Sequence, residues 1–358
     1  MIVLIFFLLA AGWFFRGMIL RGDVFVAADT LHNFYPWKAL SGLPVDTGNG
    51  LMMDSAQTFY PAHSFAARWL GAGYVPLWNP HIMCGVPFAA SGIAGLFYPL
   101  NAVFYAAGAA GASFGWNALI HIVLAGLFAF SLLRVLGAGP RGSLIGGLVF
   151  AFNGWLVAWM MLPNFLHAGI WLPLMVCLYE LSLKRGRAVY AALGGVAGAM
   201  PFLAGQPQVA AYSHMLLFGY AAYRTFTMKD AAWRAAAYWL VGVAASIAVS
   251  AVQVLPTLEL MMRSQRTAIP GGASKYLGVP GDLKHLVLAF MPNFYGDPRN
   301  RPIPELGNYS ALCMYCGAIP LLLAFYGAVF GHMRARLFFA AAGVLTLLLA
   351  LGTPLTAL

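Results

Sequence analysis

Apolar residues fall along this chain in blocks near twenty long, separated by short polar or basic stretches. A helix needs about 20 such residues to cross a bilayer core. Blocks of this kind stand at 2–20, 114–136, 143–162, 165–183, 188–205, 207–223, 235–257, 309–330 and 337–355. The pattern predicts an all-α polytopic membrane protein with about nine transmembrane helices. Two pairs of spans are joined by tight turns, Leu162-Pro163-Asn164 and Gly205-Gln206-Pro207, where proline stops one helix and glycine supplies the bend. The chain then divides into a first helix (1–20), a long polar-aromatic segment (21–113), a six-helix core (114–257), a second polar segment (258–308) and two further helices (309–358). The last block stops at GTPLTAL and reads as C-terminally truncated.

The first long segment is not an ordinary polar loop. Residues 55–70 place Phe59, Phe65, Trp69 and Leu70 at helical spacing, and 93–108 are nearly all apolar. Both predict interfacial helices, since amphipathic helices lie in the membrane surface and Trp and Tyr favour that depth. Within the segment DTLHNFYPW, from Asp29, echoes DSAQTFYP, from Asp54.

Composition supports the membrane reading. Of 358 residues, 61% are hydrophobic and 8% charged, against about 25% charged in soluble domains. The net charge of +10 matters through its placement. Half of the 20 bases cluster in short loops: Arg134 and Arg141; Lys184, Arg185 and Arg187; Arg224, Lys229 and Arg234; Arg334 and Arg336. Only Glu180 and Asp230 accompany them, while the other eight acids share the opposite side. The positive-inside rule makes the basic loops and the N-terminus cytoplasmic, and both long segments extracytoplasmic. No basic run has the aromatic interleaving of a nucleic-acid surface, so no nucleic-acid partner is expected. The N-terminus lacks the basic start and cleavage site of a signal peptide and reads as a retained span. Of the four cysteines, Cys84, Cys177, Cys313 and Cys316, the last two have redox or metal spacing but no second pair, and read as small hydrophobes.

Candidate chemistry gathers in the two outer segments. Asp54 precedes a helix, so it is either an N-cap or a general base or metal ligand facing an outer cavity. Asp29 carries the same alternatives. Gln57, His63, Trp78 and Asn79 stand in the same segment, with Pro76 to Pro80 as a rigid turn. In the second segment Arg263 and Arg266, with Lys275 and Lys284, are placed either for phosphate or for anionic lipid head groups. Asp297 and Glu305 read as solvated loop charges with Arg299 and Arg301 beside them. Asn164, His167, Gln206, Gln208, Gln253 and Glu259 all fall at the outer ends of spans, which predicts an outward-facing cavity roofed by both segments. Walker, dinucleotide, HExxH and GxSxG motifs are absent from the sequence, so ATP hydrolysis, zinc proteolysis and serine-hydrolase chemistry have no support.

The blocks DSAQTFYP, GYVPLWNP, GVPF and FYPLN, followed by LVFAFNGWLVAW, WLPLMVCLYEL, GQPQVAAY, QVLPTLELMMRSQR and YCGAIPLLLAF, resemble the YfhO-like bacterial membrane proteins over most of the chain. That family is placed in the GT-C glycosyltransferase superfamily. The resemblance implies a GT-C-like helical bundle in the bacterial cytoplasmic membrane. It implies an inverting transfer of a sugar from a polyprenyl-phosphate donor to a cell-envelope glycan, glycolipid or protein, beside membrane lipids. It implies an acidic base early in the first outer segment, Asp54 ahead of Asp29, and Arg266 on the donor phosphate. It assigns no cofactor, and a divalent metal is left open. The alternatives are a lipid-linked glycan transporter or flippase, whose charges would lie mid-membrane, and a non-catalytic envelope-assembly protein.

Overall fold

The computed structural model describes residues 1–40, 48–106, 110–228, 231–264, 282–299, 309–333 and 335–351. It is mostly helical. In chain order the helices are α1 (Ile2–Phe14), α2 (Arg16–Arg21), α3 (Trp37–Leu40), α4 (Tyr60–Gly71), α5 (Phe88–Ser91), α6 (Pro99–Ala106) and α7 (Ala110–Leu136). There follow α8 (Pro140–Ala151), α9 (Gly154–Trp159), α10 (Pro163–Gly169), α11 (Leu172–Arg185), α12 (Ala188–Leu203), α13 (Pro207–Thr227), α14 (Ala232–Met262), α15 (Ala318–Phe330) and α16 (Arg336–Ala350). The strands described are two residues each: Trp78–Asn79 pairs antiparallel with Val86–Pro87.

Among the described residues, four helical stretches are long and apolar enough to cross a membrane: Phe114–Leu136, Pro140–Trp159, Pro163–Arg185 and Ala232–Met262. This fits a membrane protein. The other blocks are helical but fall short of that measure. The first breaks at Phe15 into α1 and α2. Helices α12, α15 and α16 have 16, 13 and 15 residues. Helix α13 has 21 residues but carries Gln208, Tyr212, Ser213 and His214 in its first half, which lowers its hydropathy. The 309–330 block begins its helix only at Ala318, so Cys313 and Cys316 lie in the coil before it, free and half-buried.

Local sequence explains the breaks. The second stretch is interrupted at Asn153, whose Oδ1 accepts from Leu156 N at 3.0 Å and so caps α9. Asx side chains offer the backbone this alternative to a continuing helix. Pro163 and Pro207 each stand at the start of a helix, where a missing N–H costs nothing.

Small residues let the helices meet backbone to backbone. A Cβ on Gly195 of α12 would stand 2.1 Å from the Gly242 carbonyl oxygen of α14. Membrane helices associate through such close approaches because lipid removes most of the hydrophobic drive between them. Phe7 of α1, 1% exposed, fills a notch left by Gly126 and Gly147.

One end of the bundle is tied by charge. Glu180, buried, accepts from Tyr220 Oη at 2.9 Å and pairs with Arg224 at 3.2 Å. Lys184 donates to the Val135 carbonyl there. Removing one member of a buried pair strands the other, at about 3–5 kcal/mol. Glu180→Ala should therefore lower thermal stability strongly in detergent, while Lys184→Ala, at an exposed amine, should not.

Candidate functional site

The polar-aromatic segment packs onto the opposite end of the bundle. Its innermost part, 88–95, is held by side chains from distant helices. Gln253 Nε2 donates to the Ala89 carbonyl at 2.9 Å, and Thr257 Oγ1 lies 2.8 Å from that of Ala90. Asn164 Nδ2 donates to the Gly92 carbonyl at 3.2 Å. Gly92 and Gly205 touch directly. Gln253, Asn164 and His167 are all buried. The sequence places them in the lining of an open cavity, and this is a correction: two of them clamp the segment, donating to backbone carbonyls that would otherwise be buried unpaired.

Helix α4 buries Ala62, His63, Ala66 and Ala67 against α6, and leaves Trp69 38% exposed. The buried stripe is thus the small residues, which allow close approach, and not Phe65, Trp69 and Leu70. The second predicted helix starts late, at Pro99, after a turn that buries Tyr98 completely.

The Trp-Asn-Pro block forms a tight hairpin. Asn79 is buried and its Oδ1 accepts from His81 N at 3.0 Å. Trp78 lies against Gly85, where a Cβ would stand 2.5 Å from the ring and φ is +119°. Trp78 remains 55% exposed and keeps a free ring surface.

The two acid-bearing turns come together. Asp29 lies in a six-residue 3₁₀ helix, Ala28–Asn33, and Asp54 precedes a π-helical turn, Ser55–Phe59. Ser55 Oγ accepts from Ala27 N at 3.0 Å in a buried bond that joins them. Asp29 is half-buried and its Oδ2 accepts from Gly48 N at 2.7 Å. Asp54 and Gln57 are exposed, and Asp54 makes no side-chain cap bond. Beside these turns opens a cleft of about 580 Å³, lined in part by Asp23, Phe25, Ala28, Ala56, Tyr60 and Trp116. Asp29 and Asp54 are not among its lining residues, although Ala28 and Ala56, one and two positions away from them, are. Asp23 is, and it pairs with Arg21 at 2.6 Å. Sequence reasoning passed over Asp23, Tyr60 and Trp116, although Asp23 is the first acid after the first apolar block.

Arg263 pairs with Glu259 at 2.9 Å, one turn away and well exposed, a contact of little energetic weight. Arg266, Lys275, Arg301 and Glu305 lie outside the described residues. Lys284 pairs with Asp282 at 3.4 Å. Among the described residues no group of three or more His, Cys, Asp or Glu is placed to hold a metal ion.

His63 is buried. Its Nδ1 stands 2.8 Å from Tyr105 Oη, whose proton goes to the Ala94 carbonyl at 2.5 Å. A carbonyl only accepts, so the ring carries its proton on Nδ1 and donates to Tyr105. Burial pushes the His63 pKa from 6.5 down to about 3. The unfolded chain takes up the proton first, so the His63 contribution to stability is full above 6.5 and is lost as the pH drops from 6.5 towards 3. Melting curves from about pH 7 to about pH 4 should show that loss, and His63→Phe should reduce its slope.

No family model matches the chain, and neither does any curated protein or solved structure.

Proposed function

We propose that this chain is an integral-membrane glycosyltransferase of GT-C type. On this reading it has about nine spans and a cytoplasmic N-terminus, lies in a bacterial inner membrane, and works on the extracytoplasmic face. It moves a sugar from a polyprenyl-phosphate donor to a cell-envelope acceptor. The observation that carries the reading is the pairing of the Asp29 and Asp54 turns beside an open aromatic cleft at one end of an apolar bundle. An exposed carboxylate without a structural bond is free to take a proton, and Asp54 has that character.

The chemistry divides between two sides of the sugar. A carboxylate on the acceptor side removes the hydroxyl proton as the new bond forms. A cation beside the departing phosphate stabilises its growing charge. Arg266 fills that role by the QVLPTLELMMRSQR resemblance, with Arg263 nearby in sequence. One direct displacement between opposite faces inverts the anomeric centre. Trp78 offers its exposed ring and Tyr60 and Trp116 line the cleft, which suits a sugar face.

The test is label transfer in proteoliposomes, with radiolabelled polyprenyl-phosphate sugars and a panel of envelope acceptors. Acceptor labelling supports the proposal. Labelled lipid that crosses the bilayer without acceptor labelling overturns it in favour of transport.

A further inference from the structure

Three buried polar atoms lack a partner among the described residues, His63 Nε2, Asn117 Oδ1 and His167 Nδ1, and the three residues that carry them line the same small cavity. The cavity measures about 10 Å³ and is otherwise walled by apolar groups such as Phe114, Ala118 and Leu166. That is the room one water molecule needs. Each atom comes from a different element: α4 of the polar-aromatic segment, α7 and α10.

Hydrogen-bond valence fixes what the occupant must be. His63 already spends its ring proton on Tyr105, so Nε2 offers a lone pair. Asn101 Nδ2 faces the carbonyls of Ala94 and Gly95, at 3.2 and 3.4 Å, so its Oδ1 is the acceptor. Asn117 must then donate through Nδ2 to Asn101 Oδ1, at 2.8 Å, which leaves its own Oδ1 as an unpartnered acceptor in a residue that lines the cavity. Two acceptors are thus set, and both settings trace back to the Ala94 carbonyl. An occupant with two protons to give and a lone pair left for His167 satisfies all three atoms.

We infer that this cavity is a binding site for a single ordered water. The water donates to His63 Nε2 and Asn117 Oδ1 and accepts from His167 Nδ1–H. It binds the segment that carries Asp54 to two helices of the bundle. An unsatisfied buried polar group costs about 1–3 kcal/mol, so three in one cavity make an empty site unfavourable. A metal ion would instead require His167 Nδ1 to be bare, and about 2.0–2.1 Å from the ion. The inference is independent of the glycosyltransferase reading.

Histidine-selective ¹⁵N solid-state NMR on the full chain in bilayers tests it. The expected result is that His63 and His167 are both neutral Nδ1–H tautomers, each with a cross-peak to one slowly exchanging water. A bare Nδ1 on His167, or no water cross-peak at either ring, overturns the proposal. Ala118→Val fills the cavity from its wall and touches none of the three atoms' existing bonds. It should abolish both cross-peaks and leave the His63–Tyr105 contact in place. Cross-peaks unchanged in that variant would also overturn the site.

Discussion

On the proposed glycosyltransferase reading, Asp54→Asn should lower sugar transfer by about 10²–10⁴-fold, the span of a lost general base, and leave the protein folded. The substitution keeps the size of the side chain and removes its basicity. Asp54 is exposed and makes no cap bond, so nothing among the described residues depends on its charge. Its melting temperature should move by no more than an ordinary surface change, within about 0.5 kcal/mol. Asp29→Asn is the comparison. It weakens the bond that Asp29 accepts from Gly48 and should loosen the turn with a smaller loss of activity. A large loss from Asp29→Asn with Asp54→Asn active would move the base to Asp29. Loss from Asp23→Asn alone would move it to the acid that lines the cleft.

Gly205→Val releases the polar-aromatic segment from the bundle. Gly205 has φ +79°, and a Cβ there would lie 1.9 Å from the Gly92 carbonyl oxygen. That neighbour is backbone, which cannot swing aside. A β-branched side chain also fits the left-handed region badly. Strain and clash together should cost on the order of 4 kcal/mol, the range reserved for a disrupted core contact. Gly186→Ala isolates the backbone part: φ is +63° and no heavy atom lies within 4 Å, so about 1 kcal/mol is expected. Thermal unfolding measures both. Limited proteolysis between 85 and 95 should appear in Gly205→Val and not in Gly186→Ala. Equal melting temperatures for the two variants would mean that the Gly92–Gly205 contact carries no energy.

Much of the helical architecture was legible because apolar length and proline position are local signals. Pro163 and Pro207 start helices where the turns were read. Length alone overstated the first block, which breaks at Phe15, and the 309–330 block, whose helix waits for Ala318. Apolarity does not distinguish a spanning helix from an apolar coil packed beside one.

The site was legible in part. The Asp29 and Asp54 echo was visible in the sequence, and a bond between Ala27 and Ser55 brings the two turns together. The role of Gln253 and Asn164 was not visible, since they serve carbonyls 164 and 72 residues away in sequence. Polar groups at helix ends read equally as cavity lining or as donors to a docked backbone. Only the partner decides, and the partner is remote. His63 shows the same limit: its neighbours in sequence are amphipathic, and its burial depends on Tyr105 and Phe114.

The most direct test of a direct displacement driven by the Asp54 carboxylate is the anomeric configuration of the transferred sugar. Wild type and Asp54→Asn would be incubated side by side with polyprenyl-phosphate sugar and acceptor, and the product read by NMR. The account predicts an inverted product from wild type and almost none from Asp54→Asn. Retained configuration, or equal product from both proteins, would contradict it.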